Sequence, residues 1–216
     1  MAVTVDVVKS VAGLYKHMQE GRLSLTRWKT NLIDPKRFTR CYVDIDGECE
    51  VEKKELLCHR LHLKDCQVRV RNLKIISLEA EKDGKCLELE DCQEALLEGC
   101  TFTCASPTSD MAPYPPTRNL ASAISCINST VEIKSCSISA PGLDARGLIV
   151  EGGSLVAVTD TGFSGTFNSA VWCHGEGSKC TLTRVSVKQC GGYGALYCSH
   201  AALLEAELVE EGRSLF

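Results

Sequence analysis

One short motif recurs along this chain and limits what it can fold into. Ala123-Ile124-Ser125-Cys126, Gly147-Leu148-Ile149-Val150, Ala170-Val171-Trp172-Cys173 and Ala195-Leu196-Tyr197-Cys198 each read small, apolar, outward, apolar, and their starts lie 24, 23 and 25 residues apart. A polar or glycine-rich corner follows each copy: Asn128-Ser129, Gly152-Gly153, Gly175-Glu176-Gly177 and Ser199-His200. A second pattern comes after the corner, with two alternating apolar positions, a three-residue step and two more. It runs Val131, Ile133, Cys136, Ile138, then Val156, Val158, Thr161, Phe163, then Cys180, Leu182, Val185, Val187. Upstream it is found as Leu61, Leu63, Cys66, Val68 and as Ala95, Leu97, Cys100, Phe102; the last copy, Leu204, Ala206, Val209, Glu211, decays at its end.

Alternation with period two sets every second side chain on one face of a strand. The three-residue step breaks that alternation, so the chain turns there and keeps its apolar side inward. A unit of this length cannot bury its inner face alone. Stacked at the strand spacing of ~4.8 Å, like residue lies over like residue and a continuous core results. The period is too short for tetratricopeptide or ankyrin units, and their helical pattern is missing. The Leu and Asn spacing of leucine-rich repeats is also absent. The expected fold is an all-β solenoid, a right-handed parallel β-helix of about six to seven coils.

Through copies such as Gly147-Leu148-Ile149-Val150-Glu151-Gly152-Gly153-Ser154 and Ser135-Cys136-Ser137-Ile138-Ser139, the chain resembles the right-handed β-helix repeat family of the pectate-lyase-like superfamily, over residues 41–211. The resemblance implies the fold and is weak for function. That superfamily holds polysaccharide lyases, glycoside hydrolases, phage spikes and intracellular repeat proteins without catalysis. Its enzymes use an acidic calcium cluster with Arg and Lys nearby, or grouped aspartates with Gly-His-Gly and Arg-x-Lys segments. The sequence carries none of these constellations. Asp144 and Asp160 stand apart along the chain, and Glu88, Glu90 and Asp91 read as solvated charges on strands. Hydrolysis needs two carboxylates at a set separation, and no such pair can be nominated. Cys173-His174-Gly175 and Cys198-Ser199-His200 are superficial matches to catalytic pairs, because a thiol on an inward apolar position is a poor nucleophile. His174 and His200 follow adjacent coils and are placed to approach each other. No cofactor and no metal site is expected.

Residues 1–40 lack the repeat. Val7, Val8, Val11, Leu14, Tyr15 and Met18 fall on one helical face and Gly21 could end that helix. This segment reads as an N-terminal α-helical cap for the solenoid or as a docking segment, with Trp28, Leu32, Ile33 and Phe38 as docking candidates. Residues 41–216 form the parallel β-helix, interrupted by a Pro-rich loop insertion at 105–119. The last residues, Arg213 to Phe216, follow the final coil closely, so they or another chain are expected to cover its open end.

A net charge of -4 gives no general attraction to nucleic acid. No apolar run is long enough for a transmembrane helix, and Met1 to Asp6 lacks the start of a secretory signal. The chain has 14 cysteines but no Cys-x-x-Cys pair, so most of them read as reduced, buried, small apolar residues of a soluble protein in a reducing intracellular compartment. In that setting the sequon Asn128-Ser129-Thr130 has no role.

The repeat's outward position carries the strongest surface signal. Ser125, Ile149, Trp172 and Tyr197 occupy it in successive coils, flanked by Glu151 and His174. A ladder of large apolar side chains on a solvent face needs a cover, and aromatic residues are common interface anchors. The expected function is a non-enzymatic protein-interaction scaffold or accessory subunit of a larger assembly. The rival is a carbohydrate-binding or polysaccharide-cleaving β-helix, in which sugar rings stack on Trp172 and Tyr197.

Overall fold

The computed structural model describes the backbone of residues 4–5, 22–25, 36–39, 42–46, 55–58, 61–77, 85–104, 121–141, 145–166, 168–190 and 194–211, and side chains within 61–207. Every regular element among them is a strand, and every strand pairing is parallel.

Two sheets run along the stack. The seven-stranded sheet is ordered Leu196–Ser199, Ser169–His174, Arg146–Glu151, Ser122–Ile127, Lys85–Glu90, Leu61–Lys64, Lys36–Thr39. A 14-stranded sheet wraps the rest of the coil in two flanks, joined where Lys179–Lys188 and Leu203–Glu211 each run through both. Five turns, residues 61–77, 85–104, 122–139, 146–164 and 169–188, are described in full. The strands Leu196–Ser199 and Leu203–Glu211 continue above them, and Lys36–Thr39, Tyr42–Asp46 and Glu55–Cys58 pair below.

Strands also occur inside the segment read as a cap: Arg22–Leu25 pairs with Tyr42–Asp46, and Lys36–Thr39 pairs with Leu61–Lys64. The helix expected over Val7–Met18 lies outside the described residues, as do Trp28, Leu32, Ile33 and the Pro-rich loop at 105–119. Phe38 stands opposite Leu63 in register.

The core follows from that register. Leu61, Leu87, Ile124, Leu148 and Val171 form one inward column of the seven-stranded sheet, and Leu63, Leu89, Cys126, Val150 and Cys173 form the next. All ten side chains are buried. They meet columns from the other sheet, including Val70, Leu97, Ile133, Val158 and Leu182, and the stack Ile75, Phe102, Ile138, Phe163, Val187. Each large apolar side chain so enclosed contributes ~1.5–3 kcal/mol.

One left-handed residue makes most corners, and two make those at Gly152-Gly153 and His200-Ala201. Asp65, Asp91, Asn128 and Gly152 hold φ between 47° and 65°, and so do Asn72, Gly99, Ser135, Asp160 and Arg184. One left-handed residue rotates the chain so that its successor points inward again, as in Leu63, Asp65, Cys66. This is the physical origin of the three-residue step. Asn and Asp tolerate the conformation best after glycine. Corner side chains of adjacent turns then pair: Asn128 donates to Asp91 Oδ1 at 2.8 Å, and Arg184 forks onto both Asp160 oxygens at 2.6 and 2.7 Å.

At Gly147 the small position that opens the repeat has a steric cause. A Cβ on Gly147 would stand 2.5 Å from the carbonyl oxygen of Ala170 and 2.8 Å from Phe163 Cδ1. Gly147→Ala is therefore expected to cost ~1–3 kcal/mol by overpacking. Gly162→Ala, whose Cβ would meet only Ser186 Oγ at 3.3 Å, should stay within ~0.5 kcal/mol. Urea-unfolding midpoints of the two variants check this pair, and equal midpoints would refute the steric account.

Candidate functional site

The outer faces of the two sheets differ. Strands Gln67–Arg71, Thr130–Lys134 and Leu155–Thr159 alternate exposed and buried, as a half-solvated sheet should. In the seven-stranded sheet, Lys85–Glu90 and Ser122–Ile127 are buried at every position but the last. Its outward column runs His62, Glu88, Ser125, Ile149, Trp172, Tyr197, each in register with the next.

The register of the ladder is as the repeat predicts, but its exposure is not. Ser125 is 0% exposed and Ile149 1%. Ile149 is therefore not part of an open surface, because the chain itself encloses the middle of this face. Among the described residues the column opens most at its upper end, where Trp172 is partly exposed and Tyr197 is 39% exposed, while His62 at the lower end is partly buried.

A concavity of about 430 Å³ sits at that end, lined by Arg146, Asn168, Trp172, His174, Tyr197, Ser199 and His200. The register assembles it from three neighbouring strands. Arg146 reaches the outer face because the small residue Gly147 shifts the alternation, so that Arg146 and Ile149 share one side. Its guanidinium carbon lies 4.2 Å from the centre of the Trp172 ring, a cation–π contact. The His174 ring is 5.2 Å from Trp172 and 4.5 Å from His200. His174 Nδ1 is 2.9 Å from Ser199 Oγ, its partner in register. Asn168 precedes the Trp172 strand, is 5% exposed, and its backbone N–H donates to the Ala145 carbonyl.

The two histidines thus meet as the repeat places them. Glu151 is half-buried at its strand end and is not in the lining. Arg146, Asn168, Ser199 and His200 were not nominated as binding residues by the repeat. Arg146 could have been found, since it stands three positions before the outward Ile149 across the small position. Asn168 carries no such signal, because it belongs to no apolar column.

Below the pocket the same face is a charge network. Glu88 is 3% exposed and its carboxylate is 2.8 Å from Lys85 Nζ, itself nearly buried. Glu90 pairs with Lys64 and lies 2.8 Å from His62 Nε2. These acids are partnered, not solvated as the sequence suggests, because the face around them is closed. The Lys64 ammonium holds the Glu90 carboxyl below the usual carboxylate range, with His62 adding to it against the opposing effect of burial. Asp160 is likewise a structural ion-pair partner of Arg184, which lowers its pKa.

Ten of the eleven cysteines among the described residues are buried, and all eleven are free thiols; Cys198 is exposed. Burial pushes the Cys173 thiol up to about 11, with Cys198 adding to the shift, and raises Cys126 and Cys180 further. Raised thiols make weak nucleophiles, in keeping with an inward structural column. Among the described residues no group of His, Cys, Asp and Glu could hold a metal ion, and no helix is long and apolar enough to cross a membrane.

A second hollow of about 390 Å³ lies on the other sheet over Gln67, Arg69, Glu94, Leu96 and Glu132. It mixes both charge signs and has no aromatic residue. Comparison with known proteins matches residues 61–210 to the right-handed β-helix region. No curated protein and no solved structure matches the chain.

Two outcomes follow from these groups. Glu90 titrates lower folded than unfolded, so its contribution is present above the unfolded pKa and is lost as pH falls through the folded one. Folding stability should therefore drop on acidification, and Glu90→Gln should flatten that drop in urea titrations taken at successive pH values; an unchanged slope would refute the pairing. Iodoacetamide at neutral pH should label Cys198 in the folded protein and spare Cys126 and Cys180 until urea is added. Peptide mass mapping reads this directly, and early labelling of Cys126 would contradict the buried column.

Proposed function

Because the chain belongs to the right-handed β-helix family, we propose that it is a non-enzymatic protein-interaction scaffold, an accessory subunit that docks a partner on the open end of its seven-stranded sheet. One observation carries this reading. A single outward column is enclosed at Ser125 and Ile149 and then opens onto Trp172 and Tyr197, with Arg146 stacked beside them. Trp, Tyr and Arg are the residues that most often anchor protein interfaces. In-register stacking holds them on a sheet, so little backbone freedom is lost on binding.

Among the described residues the pocket lining has no carboxylate, which favours binding over glycoside hydrolysis, where two are needed. The reading extends to residues 1–40 as a second docking or capping segment through Trp28, Leu32, Ile33 and Phe38, to a stack of six or seven coils, and to a reducing intracellular compartment that suits the free thiols.

The rival reading, a carbohydrate-binding or polysaccharide-cleaving protein, is favoured by the consecutive register of Trp172 and Tyr197. A sugar ring stacks on an open aromatic face. Arg146 already lies over the Trp172 ring, so a sugar would have to displace a cation–π contact to use that face. This weighs toward a protein partner.

The test is affinity purification of the intact protein from its native source, beside a Trp172→Ala, Tyr197→Ala double variant shown by circular dichroism to keep its β-sheet signal. Stoichiometric protein partners that disappear with the double variant are expected. Recovery of the protein alone in both forms, together with binding to a polysaccharide panel, would replace this reading with the carbohydrate one.

A further inference from the structure

The pocket over Trp172 sets one permanent cation, Arg146, among groups that can both donate and accept hydrogen bonds, Asn168, Tyr197, Ser199 and two histidines. Asn168 is 5% exposed and lines the cavity. Its amide atoms are not among the fully enclosed unpaired ones, so what remains open of this side chain faces the hollow and can be satisfied from within it. The Trp172 indole N–H is fully enclosed and has no hydrogen bond. Around them stand the guanidinium of Arg146 and the imidazoles of His174 and His200. Arg146 makes a further contact elsewhere, but a guanidinium has five N–H donors. His174 Nδ1 is occupied by Ser199, which leaves Nε2 as its second polar atom. No carboxylate is in the lining among the described residues, although the chain as a whole has a net charge of -4.

A hollow with one permanent cation and, among the described residues, no carboxylate favours an anion. A carboxylate has two acceptor oxygens and no donor, and its single negative charge matches the one permanently charged group in the lining. A phosphate monoester carries nearly two negative charges and lacks a second fixed cation here. A neutral amide brings no charge to set beside the guanidinium. We infer that this pocket receives the carboxylate of a partner protein's Asp or Glu side chain, bound at the Asn168 amide beside Arg146 and the two imidazoles, with its methylene stem against Trp172 and Tyr197. The inference rests on the scaffold reading for the source of the carboxylate, and on the pocket itself for the chemistry.

The probe is N-acetyl-glutamic acid N-methylamide, with the glutamine analogue as its neutral control. Titration is followed at the indole N–H resonances in ¹H–¹⁵N spectra. The chain has two tryptophans, and Trp28→Phe assigns the Trp172 signal. A saturable shift of the Trp172 resonance is expected with the glutamate probe, with at least tenfold weaker binding of the glutamine analogue and weakening at high salt. Asn168→Ala should abolish the shift. Asn168→Asp, which keeps the side-chain shape and replaces a donor with a charged acceptor, should abolish it as well.

Equal responses to both probes, no response to either, or a glutamate response that survives both Asn168 variants would overturn the inference. Loss of the scaffold reading is read separately. If partner capture fails while the glutamate response and its Asn168 dependence persist, the carboxylate pocket stands without the proposed partner. If capture depends on Trp172 and Tyr197 but the glutamate response is absent, the pocket inference alone falls.

Discussion

Parallel strands stacked in register leave each residue little choice about its neighbours. The residue one turn above and the residue one turn below stand at the strand spacing, so every position belongs to a column that runs the length of the stack. A choice made in one turn constrains the next. Gly147 shows this most directly, since the backbone of Ala170 in the turn above takes the space that its side chain would need. Ala123 and Ala170 hold the same repeat position in the adjacent turns and are fully buried, so a methyl group fits there where none fits at Gly147.

The corners apply the same rule to polar groups. At one corner Cys92, Ser129, Ser154 and Ser178 follow one another up the stack. The backbone N–H of Cys92 donates to Ser129 Oγ, that of Ser129 to Ser154 Oγ, and that of Gly153 to Ser178 Oγ, each at 3.0 to 3.1 Å. The hydroxyl of Ser129 in turn donates to the Ile127 carbonyl at 2.8 Å. A corner frees backbone groups that a strand would have paired, and buried backbone groups must find partners. Ser and Cys supply them from the next turn at little volume. Cysteine fills two roles in this chain, as a corner residue whose thiol reaches a carbonyl, such as Cys92 to Leu63 at 3.3 Å, and as an apolar member of an inward column, such as Cys126.

The inward columns and corners were legible in the sequence, because period-two alternation and the three-residue step are local consequences of strand geometry and one left-handed residue. Leu148, Val171 and Cys173 lie inward as the pattern places them, and Trp172 over Ile149 is the register it implies. What the sequence could not show is which stretch of an outward column is covered. Ser125, Ile149 and Trp172 have the same place in the repeat, yet two are enclosed and one opens on the pocket. Exposure on the outer face depends on what lies over the sheet, and no strand period encodes that. Glu88 was misread for that reason, as a solvated charge instead of a buried partner of Lys85. Asn168 escaped notice because its role comes from lining a hollow between turns, not from a repeat position.

The covered and open parts of the outer column depend on each other. The enclosed stretch around Glu88, Ser125 and Ile149 packs the sheet from both sides, which fixes the strands that continue upward to Trp172 and Tyr197. A recognition site benefits when its groups are held before the partner arrives, since less ordering entropy is then lost on binding. Arg146 shows how this works at the side-chain level. Its stack on Trp172 restrains a long and otherwise mobile cation at the pocket wall, and the Ser199 contact does the same for the His174 ring. In a hydrolase of this architecture the restrained groups would be carboxylates facing each other across a scissile bond. Here, among the described residues of the pocket, they are a guanidinium, an imidazole and aromatic rings, and the proposed hold on a partner's acidic side chain rests on that set.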